Sequence, residues 1–250
     1  METILLASSA KNIDFMIHGL FKYKIFGQTV WITTSHVCLL IVLLTLIIFS
    51  FVVKHKMQNA TEVPGTFQNI LEAVVEFLDN IVKGSMGKNA PVYRNYICTI
   101  FVFILFCNLS GLLGLRPPTA DYGTTLALAL ITFVMIHFNE VKHHTAKELW
   151  ESKTSPMPPW LPLWLPINII SDVAVPISLS LRMFANVLSG VIIEALLYGM
   201  LSKIAYVWPA ALHAYFDIFS GAIQTYVFCM LTMTYVNQAI DNDDEEEANA

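Results

Sequence analysis

Arg182 sits midway along an otherwise apolar stretch, PISLSLRMFANVLSGVII. An arginine side chain effectively never loses its proton, and a fixed charge at membrane depth costs from about 3 to over 10 kcal/mol. Such a residue needs a use or a partner. The plain alternative is a structural ion pair with Glu194 or Asp217. Twelve residues separate Arg182 from Glu194, about 18 Å along a helix axis, which disfavours direct pairing. If the last two apolar stretches form an antiparallel hairpin, residues equidistant from its turn share one depth. Arg182 with Gln224, and Glu194 with Asp217, are both centred on residues 203 to 206. Arg182 and Gln224 would then occupy one level and Glu194 and Asp217 another, nearer the turn.

The second stretch carries His213, Asp217, Ser220 or Gly221, and Gln224 at spacings that align them on one helical face. On the first stretch, Asn186 lies one turn beyond Arg182, and Ala185, Ser189 and Gly190 are small enough for another helix to approach closely. A titratable stripe leading toward a buried cation reads as an ion path. Mutual hydrogen bonding that merely stabilises the hairpin is the competing reading. His137, Glu140, His143 and His144 place potential metal ligands close together, but no second histidine cluster completes a ligand set, and metal sites need a full one. A stand-alone ion channel or secondary transporter would also explain Arg182 and Asp217. Such transporters usually carry internal repeats and broken helices, and no repeat is visible here. No phosphate-binding loop of the GxxxxGKS type is present, and no cofactor is implied.

The elements that must position these residues follow from composition. Of 250 residues, 56% are apolar and 13% charged, against about 25% charged in typical soluble domains. So few charges cannot coat a water-facing surface. Nor is there the basic footprint of a nucleic-acid binder. The net charge of −5 comes from the terminal DNDDEEE run. The four cysteines lie in apolar runs without a CxxC. The N-terminus has no basic segment ahead of its short apolar patch, so no cleaved signal peptide is expected.

Residues 25–53, 95–115 and 122–139 are free of Asp, Glu, Lys and Arg, and each is near the roughly 20 residues that cross a hydrocarbon core. Two more stretches carry one charge each, Arg182 and Asp217. The expected fold is an all-α integral membrane protein with about five membrane helices and one amphipathic surface helix. That surface helix is expected at 66–83, where Phe67, Ile70, Val74 and Leu78 oppose Glu72, Glu76 and Lys83. The rest of the chain divides into an outer N-terminal segment (1–29), a first membrane helix (30–53), a membrane hairpin (95–139), a Pro/Trp connector (156–166), an ion-channel hairpin (167–240) and an acidic tail (241–250). All form a single membrane domain. The five prolines of the connector exclude a helix there. The last two helices cover over 30 residues each, about 50 Å against a hydrocarbon core of about 30 Å, so a strong tilt is expected. Pro176 marks either a kink in the first of them or its true start. With the N-terminus outside, inner loops hold eight of the 14 Lys and Arg residues and outer segments five. This bias favours N-outside, C-inside.

The segment PINIISDVAVPISLSLRMFANVLSG resembles the signature of subunit a of F-type ATP synthase. That family has Pro-x-Ser-Leu-x-x-Arg-Leu-Phe-x-Asn, and Pro176, Ser178, Leu179, Arg182, Phe184 and Asn186 match, with Met183 for the usual Leu. Gln224 and its aromatic-rich helix, the segment from Asn108 and Gly111 to Pro118–Asp121, and Pro64, Gln68, Asn69 and Glu72 resemble further family patterns. The resemblance implies a membrane stator of the Fo sector facing a rotating ring of c subunits. Two half-channels feed the ring, and Arg182 is the essential ring-facing cation. Coupling of proton or sodium passage to rotation and ATP synthesis follows. The implied partners are the c ring, the b subunits of the peripheral stalk, the F1 catalytic head and the lipid bilayer of a bacterial plasma membrane, with no nucleic acid. The chain itself would be a non-catalytic subunit. The sequence departs from the family at Val191, nine after the arginine, where Glu or His is frequent, and at Asp217, seven before the glutamine. Asp217, Glu194 and His213 are therefore expected to carry the outer half-channel, and Asp172, Ser171 and Asn168 the inner one. Asp172 as a charge near a helix start is an equal alternative.

Overall fold

The computed structural model describes residues 19–25, 28–58, 65–113, 115, 117–145, 147, 149, 164–200, 212 and 214–240. His213, the acidic tail and the connector up to residue 163 lie outside the described residues, as does the side chain of Glu194. Two strands, β1 (Gly19–Ile25) and β2 (Gln28–Thr33), precede six helices. These are α1 (Thr34–Met57), α2 (Thr66–Met86), α3 (Ala90–Leu109), α4 (Tyr122–His143), α5 (Trp164–Met200) and α6 (Gly221–Gln238). A π-helical turn, Phe216–Ser220, leads into α6.

Among the described residues, four helical stretches are long and apolar enough to cross a membrane: Thr34–Met57, Thr66–Leu113, Tyr122–His143 and Pro166–Ile193. The chain is an all-α multi-pass membrane protein, apart from the antiparallel β1–β2 hairpin. That hairpin corrects the expected start of the first membrane helix. Residues 30–33 belong to β2, where Val30, Ile32 and Thr33 favour an extended chain. The helix starts instead at Thr34, after an extended Thr33 whose hydroxyl is paired with the His36 ring at 2.6 Å. α1 is apolar on all sides. Only Ser35, Cys38 and Val42 are buried, a stripe of one narrow face. Apart from the half-buried Leu39 and Leu46, its Leu, Ile and Phe side chains face outward, as lipid contact requires. Lys54, His55 and Lys56 close its last turn, where cations favour the helix dipole.

α2 is amphipathic, with an Asp79–Lys83 ion pair one turn apart on its polar side. It passes into α3 through a 3₁₀ turn at Gly87–Asn89. Gly87 has φ +49, a left-handed conformation that a side chain disfavours. α5 runs unbroken for 37 residues, about 55 Å. It begins inside the expected connector, because Pro166 falls in its first turn, where a missing N–H costs nothing. Pro176 lies within the helix, twelve residues from its start, and does not mark its beginning. α6, the fifth expected membrane helix, is less apolar than the other four.

The described residues fall into two compact units. The first comprises those through Glu72, Ile100–Asp121 and Phe184–Tyr226. Its core gathers Cys38, Val42 and Cys107, with Leu46, Phe103 and Phe106 packed against them. The second comprises Ala73–Thr99, Tyr122–Met183 and the described residues from Val227 on. Val82, Met183, Phe228 and Met233 are buried there. Its helices are tied by polar contacts: Tyr93 donates to Asn139 at 2.7 Å, Asn237 to the Ser85 carbonyl at 2.9 Å, and the His144 ring meets the Ala239 carbonyl at 3.0 Å.

Candidate functional site

In the first unit the hairpin register is directly visible. Asn186 Nδ2 on α5 donates to Ser220 Oγ at 3.0 Å, and the hydroxyl lies 3.3 Å from Asn186 Oδ1. This pair is centred on residue 203, the centre expected for Arg182 and Gln224. The same register sets Asp217 opposite position 189, next to Gly190 and Val191. These two line a cavity of about 30 Å³ together with Val187, Asp217, Ser220 and Gly221. That is room for about two waters. Glu194, expected at the level of Asp217, has its side chain outside the described residues. Asp217 itself sits in the π-helical turn, whose wider winding holds Asp217, Ser220 and Gly221 on one cavity wall.

Asn108 and Pro117 complete that wall. Asn108 is buried and reaches across to the start of α6. It donates to the Gly221 carbonyl at 3.2 Å and to Thr225 Oγ1 at 3.3 Å, while Thr119 donates to its Oδ1 at 2.9 Å. Thr225 adds a 2.7 Å bond to the same Gly221 carbonyl. Two side chains thus converge on the Gly221 carbonyl, immediately after the π turn. Two glycines permit the close approach. A Cβ at Gly111 would run into the Asp217 carboxylate, and one at Gly221 would meet Asn108 Cβ at 3.0 Å. The sequence drew attention to Asn108 and Gly111 only through family patterns. Their distance in sequence from Asp217 hid what they do.

The second unit holds a wider cavity, of about 230 Å³. Ser171 and Asp172 line it from α5, His137 and Glu140 from α4, and Tyr235 and Gln238 from the end of α6. The expected grouping of Ser171 with Asp172 is therefore found. Asn168 lies one turn earlier on α5, half-buried, and is not part of that lining. Asp172 lies eight residues inside α5, beyond the first turn where a charge would serve the helix start. His137 and Glu140 are 2.7 Å apart, while His144 is turned to the Ala239 carbonyl. Among the described residues no group of three or more His, Cys, Asp or Glu side chains is placed to hold a metal.

Arg182 is exposed, and among the described residues no carboxylate pairs with it. Ala185 and Ser189, one and two turns on, are exposed as well. Among the described residues no helix covers them. Gln224 is buried, and its Nε2 has no hydrogen-bond partner among the described residues.

Arg182, the lining of the Asp217 cavity and nearly all of the lining of the Asp172 cavity lie within residues 36–237, which match the model of the family ATP synthase A chain. The chain belongs to the ATP synthase A chain family. Among curated relatives, an ATP synthase subunit a from Sulfurihydrogenibium sp. (strain YO3AOP1) is 35% identical over 179 residues, covering 71% of this chain and 84% of the relative. One from Ehrlichia ruminantium (strain Welgevonden) is 29% identical over 242 residues, covering 93% and 99%. A relative from Propionigenium modestum, named ATP synthase subunit a, sodium ion specific, is 33% identical over 199 residues, covering 73% and 66%. Membership in the ATP synthase A chain family makes the chain a stator subunit of the Fo membrane sector. It does not favour a stand-alone channel or transporter. The β1–β2 hairpin lies outside the span matched to the family.

Proposed function

We propose that Arg182 is the ring-facing cation of this stator and that the Asp217 and Asp172 cavities belong to its two ion half-channels. The observation that carries this reading is an exposed, permanently charged side chain on a long apolar helix, flanked by exposed Ala185 and Ser189 and unpaired among the described residues. Nothing among the described residues neutralises this charge, and a partner outside the chain would. The chemistry of that partner is a carboxylate at membrane depth, carried by each subunit of a c ring. At 4 Å and an effective dielectric near 20 the attraction is about 4 kcal/mol. This offsets desolvation of the carboxylate without trapping the ring. The same fixed charge repels a cation moving straight from one half-channel to the other. The drive is about 2.3 kcal/mol per charge per 100 mV.

The b subunits of the peripheral stalk and the F1 head complete the assembly, and nucleotide chemistry belongs to F1, so the chain itself is non-catalytic. It lies in a bacterial plasma membrane with its N-terminus outside and C-terminus in the cytoplasm. On that orientation the Asp217 cavity, with Glu194 and His213 toward the turn, serves the outer side, and Ser171, Asp172 and Asn168 the inner. Gln224 and Asn186 are the further polar residues assigned to the ion path.

Cysteine crosslinking of the purified complex tests the reading. Ala185→Cys and Ser189→Cys are expected to crosslink to a c subunit carrying a cysteine near its carboxylate. Complexes that contain c, b and F1 yet give no such crosslink would contradict it.

A further inference from the structure

His137 and Glu140 are the titratable pair that the half-channel reading leaves without a task. His137 Nδ1 lies 2.7 Å from Glu140 Oε2, and both side chains are only partly exposed, at 31% and 21%. The Phe133 ring stands edge-on to the imidazole at 4.2 Å and fixes its plane. All three residues line the cavity that Asp172 and Ser171 line from α5. The titratable groups around His137 in that lining are Glu140 on its own helix, Asp172 on α5 and Tyr235 on α6. A carboxylate held at Nδ1 accepts the Nδ1 proton and so sets the tautomer in which Nε2 accepts. Imidazole is the side chain whose charge ordinarily changes between pH 5 and 8, and a 230 Å³ cavity holds several waters to connect it to Asp172.

We propose that the His137–Glu140 pair is a proton relay of the Asp172 cavity, exchanging protons between bulk water and the waters that reach Asp172. A proton leaving the Asp172 carboxyl passes through cavity water to His137 Nε2. The imidazolium so formed is stabilised by the Glu140 carboxylate and then gives up its Nε2 proton to bulk water. His137 ends neutral and Asp172 ionised. In the reverse direction every transfer runs backward. The relay rests on the reading of the Asp172 cavity as a half-channel.

The test uses the whole complex in inverted membrane vesicles, comparing wild type with His137→Gln and Glu140→Gln. Assembly is followed through the c subunit and F1 that co-purify. The expected result for His137→Gln is ATP-driven proton pumping reduced about tenfold in dilute buffer. Raising the concentration of imidazole buffer should restore most of it, while wild type responds little. Glu140→Gln should flatten the dependence of pumping on pH between 5 and 8. Wild-type pumping with a wild-type buffer response in both variants would overturn the relay. So would a loss that imidazole does not restore, since a structural defect is indifferent to a mobile proton carrier, and so would sodium transport without proton pumping. Ser171→Cys separates the two levels of the argument. If a water-soluble maleimide labels it while His137→Gln behaves as wild type, the relay fails alone. If the maleimide does not reach it in the assembled complex, the half-channel reading fails with it.

Discussion

The Asp217 and Asp172 cavities both draw on α5 and α6, the first closed by Asn108 and Pro117 and the second by α4, yet one holds about 30 Å³ and the other about 230 Å³. In the small one the polar groups are engaged with each other. Asn186 and Ser220 pair across the hairpin, and Asn108 holds Thr119, Thr225 and the Gly221 carbonyl. Little room remains beside Asp217, so its carboxylate is the main group that can carry charge there. In the wide one, Asp172, His137, Glu140 and Tyr235 share one space large enough for several waters. Several groups there can exchange protons, and each is individually more replaceable. The difference shows that a narrow path places its chemistry on one side chain and a wide path distributes it.

The sharpest way to break this comparison is to neutralise each aspartate in turn. Asp217→Asn should cut ATP-driven ion flux about a hundredfold, as loss of an essential proton-transfer group does. Asp172→Asn should have a clearly smaller effect, because Glu140 and His137 face the same water. Equal losses, measured as vesicle acidification at matched complex content, would remove the distinction. Next in size is Gly111→Ala. The new methyl group displaces the end of the Asp217 side chain rather than any backbone atom. Flux should therefore fall several-fold while the thermal stability of the complex changes little. A variant that loses stability and flux together would show that Gly111 serves packing alone. The smallest effect is a difference in rate. Cysteines at Ser171 and Val187, one in each cavity lining, should both react with an aqueous maleimide, Ser171→Cys several-fold faster. The reverse order would mean that cavity size does not govern water access.

Much of this was legible in the residues. Stretches free of charge marked α1, α3 and α4, because a hydrocarbon core tolerates little else. The apolar surroundings of Arg182 singled it out. Equidistance from the turn placed the hairpin in the register now seen in the Asn186–Ser220 pair. What escaped reading has physical causes. A helical period of 3.6 residues cannot reveal a π turn, so the local winding at Asp217 was not visible in the spacing of its neighbours. Gln28–Thr33 is as free of charge as most of the helix that follows it, and only its β-branched residues hinted at a strand. Asn108 and Gly111 reach Asp217 from more than a hundred positions away in the chain, a proximity that no local pattern encodes. His137 and Glu140 were recognised as a cluster, but sequence spacing gave no means of knowing that Asp172 and Tyr235 face the same space.

The measurement that bears most directly on the central claim is ATP-driven acidification of inverted vesicles containing either the wild-type complex or Arg182→Ala, with equal amounts of assembled c ring and F1. The account predicts that the variant keeps its assembled head and loses pumping entirely, because the ring carboxylate then has no fixed cation to meet. Normal pumping by Arg182→Ala would contradict it, leaving the exposed arginine without a part in ion passage.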